Sequence, residues 1–274
     1  MSPDPLRIAV AGASGKMGQL LVQEIHRHPE VCLSAAVDVE GSGLLGQDAG
    51  APLGLQTGVS VTSDLAALRS AQVLIDFTRP EATAAHLAAC SELGLSLVLG
   101  TTGQDAEGLA ALDRFAQSHR LVFSPNMSVG VNIVLKLLEL AGEALSQGYD
   151  IEVIEAHHRQ KVDAPSGTAL KMGEVVAKAA GRRWPEDAVF ARQGITGART
   201  ESEIGFSVIR GGDIVGDHTV LFAGPGERIE ITHRSSSRAT YAQGAIRAAL
   251  FLQSVGPGAY GMDQVLRLSS SRAS

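Results

Sequence analysis

Two periods of apolar residues run through this chain. From Leu6 to about Asn126, short runs rich in Val, Ile and Leu alternate with longer stretches whose apolar residues recur every three or four positions. The short runs suit strands buried on both faces of a parallel sheet, and the longer ones suit helices that cover it, so the alternation predicts a doubly wound α/β domain. Strands are expected at 6–11, 32–37, 59–62, 73–77, 96–99 and 121–123, with helices at 16–27, 81–93 and 105–118. Six glycines from Gly41 to Gly58 break the interval between the second and third strands, which reads as loop or ragged helix.

After a helix at 131–145 the texture changes. Strands at 150–156, 204–208, 214–222 and 228–233 accompany a helix at 168–180, and the turn Gly224-Pro225-Gly226-Glu227 has hairpin chemistry. These features predict a second, α+β domain with a mixed sheet. A last apolar helix at 240–252 and the segment 260–268 are read as returning to the first domain.

Composition narrows the function classes. The chain has 274 residues, 45% hydrophobic and 19% charged, which is the make-up of a folded globular protein. Its net charge of −6 and the lack of a basic cluster argue against nucleic acid and against anionic membrane surfaces, leaving small molecules as expected partners. Two cysteines, Cys32 and Cys90, are too few for a disulfide framework or a thiolate zinc site, and a cytoplasmic location is expected. The opening Met-Ser-Pro-Asp-Pro does not read as a leader, and no apolar run reaches transmembrane length.

Candidate chemistry begins after the first strand, at Gly12-Ala13-Ser14-Gly15-Lys16-Met17-Gly18. Glycines at this spacing, leading into a helix, provide a tight turn, a close backbone approach and a helix start for a pyrophosphate. A glycine turn without ligand is the alternative, but the second strand ends at Asp38, where a carboxylate is placed for adenosine ribose hydroxyls. Val39 supplies no cation for a 2′-phosphate, although Lys16 could partly compensate, so NADH is favoured over NADPH. Two further strand-end turns, Gly100-Thr101-Thr102-Gly103 and Ser124-Pro125-Asn126-Met127, are placed to line the nicotinamide half.

A second constellation lies at Glu155-Ala156-His157-His158-Arg159-Gln160-Lys161-Val162-Asp163-Ala164-Pro165-Ser166-Gly167-Thr168. Four basic side chains precede a helix start whose backbone N–H groups and hydroxyls, those of Ser166 and Thr168, suit an anion. No metal site is expected, because His157 and His158 would point to opposite faces of a strand and no third ligand accompanies them. A solvated basic face before an ordinary helix cap is the bland alternative. A nucleotide loop in the same chain favours an anionic substrate instead, with His or Lys supplying the proton that accompanies hydride transfer.

These motifs, with Arg210 to Val220 and Ile231 to Arg238, resemble the 4-hydroxy-tetrahydrodipicolinate reductase family over nearly the whole chain. The resemblance implies NAD(P)H-dependent reduction of a cyclic dicarboxylate in lysine and diaminopimelate biosynthesis. It implies acid/base work at His157, proton donation at Lys161, and carboxylate binding at His158, Gly167 and Thr168, with Ser166 beside them. It also implies a homotetramer built through the second sheet and a hinge near residues 128 and 238. The dinucleotide-binding domain would then be 1–128 with 238–274, and 129–237 the substrate-binding and oligomerisation domain. Another dehydrogenase of an anionic substrate is an alternative, as is a sensor that only binds NAD(P), though a sensor has no need of the 157–168 constellation.

Overall fold

The computed structural model describes residues 4–268. In chain order the elements are β1 (Leu6–Ala11), α1 (Lys16–Arg27), β2 (Val31–Val37), β3 (Val61–Thr62), β4 (Val73–Asp76), α2 (Pro80–Leu93), β5 (Ser96–Leu99), α3 (Ala106–Ala116) and β6 (Arg120–Phe123). They continue with α4 (Val129–Ala144), β7 (Asp150–His157), α5 (Gly167–Ala179), β8 (Ala188–Val189), β9 (Ile204–Arg210), β10 (Gly216–Gly224), β11 (Glu227–Ser235), α6 (Ala239–Phe251), β12 (Gly258–Tyr260) and α7 (Met262–Val265). The chain forms two compact units, the first up to Val129 and again from Arg238, the second Gly130–Ser237.

The first unit is built on a seven-stranded parallel sheet in the order β12-β6-β5-β4-β1-β2-β3. Alternation along β1 shows why its strands read as continuous apolar runs. Leu6, Ile8 and Val10 pack with α1, α6 and α7 on one face, while Ala9 and Ala11 pack with α2 and α3 on the other. Strand order reverses between β1 and β4, so the turns after these strands open a crevice at the carboxyl edge of the sheet. The last segment does return here: α6 packs on α1, and β12 pairs with β6.

Several expected boundaries shift. β3 keeps only Val61 and Thr62, because Asp48 gathers the glycine-rich segment around itself. Its carboxylate accepts from Thr57 Oγ1 at 2.7 Å and from the N–H groups of Gly50, Thr57 and Gly58. These bonds hold its pKa down at about 2. A 3₁₀ turn at Leu65–Ser70 and the short strands β8 and β12 lack enough residues to show a period.

The second unit carries a five-stranded mixed sheet in the order β11-β10-β7-β9-β8. β10 runs antiparallel to β7 and β11, whereas β7, β9 and β8 are mutually parallel. The β10–β11 hairpin closes through Pro225 and Gly226, and Gly226 takes φ +85°, which a type II turn needs at that position. Residues of α4 and α5 bury one face with Ile151, Val153, Ile204, Phe206, Val220 and Phe222.

Candidate active site

At the carboxyl edge of the first sheet, Gly12 turns the chain with φ +68°. A Cβ there would lie 2.9 Å from Thr78 Cγ2, so the turns after β1 and β4 can approach only because the side chain is missing. Gly18 serves packing instead: a Cβ would fall 2.1 Å from the Gly12 carbonyl oxygen. Between them, Gly12 and Ala13 donate their N–H groups to the Val37 carbonyl, and Gly15 donates to Gly12. No side chain caps α1 and no acidic residue occupies its first turn, so the helix start at Lys16 and Met17 is fitted to hold a pyrophosphate.

Asp38, at the end of β2, braces this turn. It accepts from Ser14 N at 2.7 Å, from Ser14 Oγ at 2.5 Å and from Val39 N at 2.8 Å. Val39 is 70% exposed and Lys16 is exposed as well. The glycine turn, the uncapped start of α1 and the Asp38 carboxylate therefore fit a nicotinamide dinucleotide.

The neighbouring strand ends are fixed by a buried carboxylate that sequence patterning did not single out. Asp76 accepts from Thr78 N and Oγ1 at 2.7 and 2.6 Å and from Thr101 Oγ1 at 3.3 Å, and it faces His86 Nδ1 at 2.7 Å. Burial works to raise its pKa, but the bonds from His86 and Thr78 prevail and hold the group below the ordinary carboxylate range. Gly100 fits only because the Phe77 ring occupies the space of a side chain, 2.3 Å from where a Cβ would stand. Thr102 and Pro125 are exposed, Asn126 is half-buried, and Ser124 Oγ donates to the Asn126 carbonyl at 2.9 Å. Ala13 and Met127 are fully buried, so their side chains serve the core and only their backbone faces the loops.

In the second unit, β7 alternates faces so that Glu155 and His157 both point toward the start of α5. Glu155 is 1% exposed, and both its carboxylate oxygens are hydrogen-bonded. One oxygen, Oε2, meets His157 Nδ1 at 2.6 Å and Arg210 Nη1 at 2.7 Å, and Oε1 accepts from Arg210 Nη2 at 2.8 Å and Ser166 N at 3.0 Å. Burial alone would raise its pKa, but the Arg210 and His157 bonds override it and hold the carboxyl low. Arg210 also donates to the Asp163 carbonyl at 2.6 Å, tying down the segment that carries Lys161, whose Nζ lies 2.8 Å from Asp163 Oδ1.

Ser166 caps α5, accepting from Ala169 N at 3.1 Å, and its hydroxyl also meets His218 Nε2 at 2.9 Å. At 2% exposure this hydroxyl faces inward rather than into the space before the helix. Gly167 is exposed and nothing lies within 4 Å of where its Cβ would stand, so no neighbouring side chain crowds that position. Thr168 in the first turn of α5 is half-buried, and so is His158, whose Nδ1 is buried and unpartnered. Burial, and next the neighbouring His157, lowers the pKa of His218 to about 4, so its ring is neutral.

Glu155, Arg210 and His218 join the site through contacts 55 and 52 residues apart in the chain, which no local pattern displays. A signal for Glu155 did exist: it stands two residues before His157 on a strand, hence on the same face. No helix among the described residues is long and apolar enough to cross a membrane.

Comparison with known proteins shows the family of the chain. Residues 6–127 match the family model described as dihydrodipicolinate reductase, N-terminus, and residues 130–266 match dihydrodipicolinate reductase, C-terminus. The 4-hydroxy-tetrahydrodipicolinate reductase of Cupriavidus pinatubonensis is 61% identical over 96% of this chain and 100% of its own length. That of Herminiimonas arsenicoxydans is 56% identical over 96% of this chain and 98% of its own. Among solved structures, dipicolinate-bound dihydrodipicolinate reductase from Paenisporosarcina sp. TG-14 aligns with a TM-score of 0.76 at 25% identity, covering 94% of this chain and 97% of that one.

Proposed function

This chain belongs to the dihydrodipicolinate reductase family, and on that premise we infer that it reduces 4-hydroxy-tetrahydrodipicolinate to tetrahydrodipicolinate in lysine and diaminopimelate biosynthesis. The reaction consumes one hydride and one proton and releases water. The observation that carries this reading is the match of both units, end to end, to one family of reductases. When bound, the nicotinamide coenzyme supplies the hydride.

The first unit, we propose, binds that coenzyme through Gly12 to Met17, Asp38, the Gly100–Thr102 turn and the turn from Ser124 to Met127. NADH is the preferred form. The carboxylate of Asp38 and the neutral Val39 stand where a 2′-phosphate would need a cation, and the exposed Lys16 is the one basic group of the glycine turn.

Substrate binding falls to the second unit. The first turn of α5 presents the N–H groups of Gly167 and Thr168 to a carboxylate, and His158 and Lys161 add positive or donor character beside it. Ser166 contributes indirectly, by holding the helix start in place. Lys161 hands over the proton and His157 manages proton traffic at the reacting end. The dipicolinate in the structure from Paenisporosarcina sp. TG-14 is a planar dicarboxylate of the size these groups would hold.

The uncovered face of the second sheet supports a homotetramer. Ile154 and Leu221 are half-buried there and Ile209 is 52% exposed, with no helix over them among the described residues. Four copies meeting through this face would bury it, and a protein of this kind works in the cytoplasm. The test of the whole reading is coupled turnover with freshly generated substrate, run with NADH and NADPH in parallel and followed by loss of reduced-nicotinamide absorbance. Turnover with both, faster with NADH, is expected; turnover with neither would overturn the assignment.

A further inference from the structure

We propose that Glu155, clamped by Arg210, is the positioning residue that fixes His157 as the Nδ1–H tautomer and leaves Nε2 as its working nitrogen. The proposal rests on the reading of His157 as the acid/base residue, and goes beyond it by naming which nitrogen acts and what decides it.

The geometry leaves one arrangement. Arg210 grips both oxygens of Glu155 with its two terminal nitrogens, and Ser166 N donates to one of them. A carboxylate so surrounded is an acceptor only, so the ring nitrogen facing it at 2.6 Å must carry the hydrogen. In the neutral ring Nε2 then has a lone pair. Opposite Nε2 stands Gly216, where a Cβ would lie 3.0 Å away, so any other residue at position 216 would crowd this nitrogen. The His218 ring meets His157 edge-on with centroids 5.0 Å apart, and being neutral it sets no second positive charge against the imidazole.

Arg210 couples this arrangement to the proton donor as well. Its Nη2 binds the Asp163 carbonyl while Asp163 pairs with Lys161, so one guanidinium anchors both the orienter of His157 and the loop of Lys161. A purely architectural ion pair between β7 and β9 would have no need of a histidine on the same oxygen.

The direct test is ¹⁵N NMR of the imidazoles in the wild-type protein, at a pH where the His157 ring is neutral, with His157→Gln identifying the signal. An Nδ1–H tautomer is expected; an Nε2–H tautomer would overturn the proposal. Glu155→Gln presents an amide donor to Nδ1 and should reverse the tautomer. It should also lower kcat on the order of 10²-fold or more, the scale for a histidine held in the wrong form, with NADH binding kept. The double variant Glu155→Gln/His157→Gln should be no slower than His157→Gln alone. A double variant many-fold slower would show that Glu155 acts through the fold and not through His157. If Glu155→Gln does not fold, Arg210→Lys, which keeps the charge but cannot grip two oxygens, should lower kcat with the Nδ1–H form retained, and unchanged kcat would remove Arg210 from the proposal. Full activity in His157→Gln would instead contradict the acid/base reading, while the tautomer measurement would still decide what Glu155 does.

Discussion

On the proposed function, coenzyme choice rests on two adjacent side chains just after β2, Asp38 and Val39. Asp38 is already committed to the Ser14 backbone and hydroxyl, so its charge is held in place beside the glycine turn. Val39 is exposed, and an arginine there has room to extend without disturbing the core. Val39→Arg should raise the NADPH to NADH ratio of kcat/KM about ten-fold, since a charge-assisted phosphate contact is worth at least ~1.4 kcal/mol, a decade in affinity. The gain should shrink with added salt, because a partly exposed pair is screened. A ratio that does not move would mean that the ribose lies elsewhere or that Lys16 already holds the phosphate. Positions at this scale were legible in the sequence: Asp38 directly follows the second strand, and the spacing Gly12, Gly15, Gly18 marks a helix start. What the sequence did not disclose is that Asp38 also braces its own turn.

Elements were legible where period and punctuation agreed. β1, α1 and β5 fall on the expected residues, since each combines a clear apolar period with glycine or polar residues at its ends. β10 begins at Gly216 rather than at 214, because the backbone carbonyl of Ile214 is drawn to His158 N at 2.7 Å before pairing with β7 starts. The α1–β1 unit offers a sharp test of what a glycine does. At Gly18 the backbone is ordinary helix, so its lack of a side chain is required by contact alone, the 2.1 Å approach of Gly12 O. Gly18→Ala should therefore destabilise the protein by about 1 to 3 kcal/mol, the usual cost of overpacking, although alanine is the better helix former. It should weaken NADH binding too, because the glycine turn must shift to make room. Thermal unfolding and NADH titration of the variant measure both, and a rise in Tm would show that the loop gives way freely.

For the molecule as a whole, buried ionisable groups set how stability depends on pH. His218 is lowered from 6.5 to about 4 by burial. A group with a depressed folded pKa binds its proton more readily when unfolded, so this histidine contributes stability that is fully present above 6.5 and is lost as pH falls toward 4. Burial lowers His233 as well, which adds to the same trend. Asp48, Asp76 and Glu155, all held below the ordinary range, then lose their contribution at more acid pH. Urea midpoints should fall steadily as pH drops below 6.5, and His218→Gln should flatten that slope. An identical slope in the variant would mean that the ring is not buried neutral. The pattern along the chain does not display the His218 and Glu155 shifts, because they arise where β7, β9, β10 and the start of α5 converge.

The central claim is a division of labour: the first unit holds the coenzyme, and the charged segment after β7 carries the chemistry. Lys161→Ala separates the two most directly, because Lys161 lies in the second unit and pairs with Asp163 of that same unit. Measured side by side, its kcat should fall roughly 10²-fold or more, as for loss of a general acid, while the Kd for NADH stays at the wild-type value. Wild-type kcat, or a loss explained by weaker NADH binding, would contradict the account.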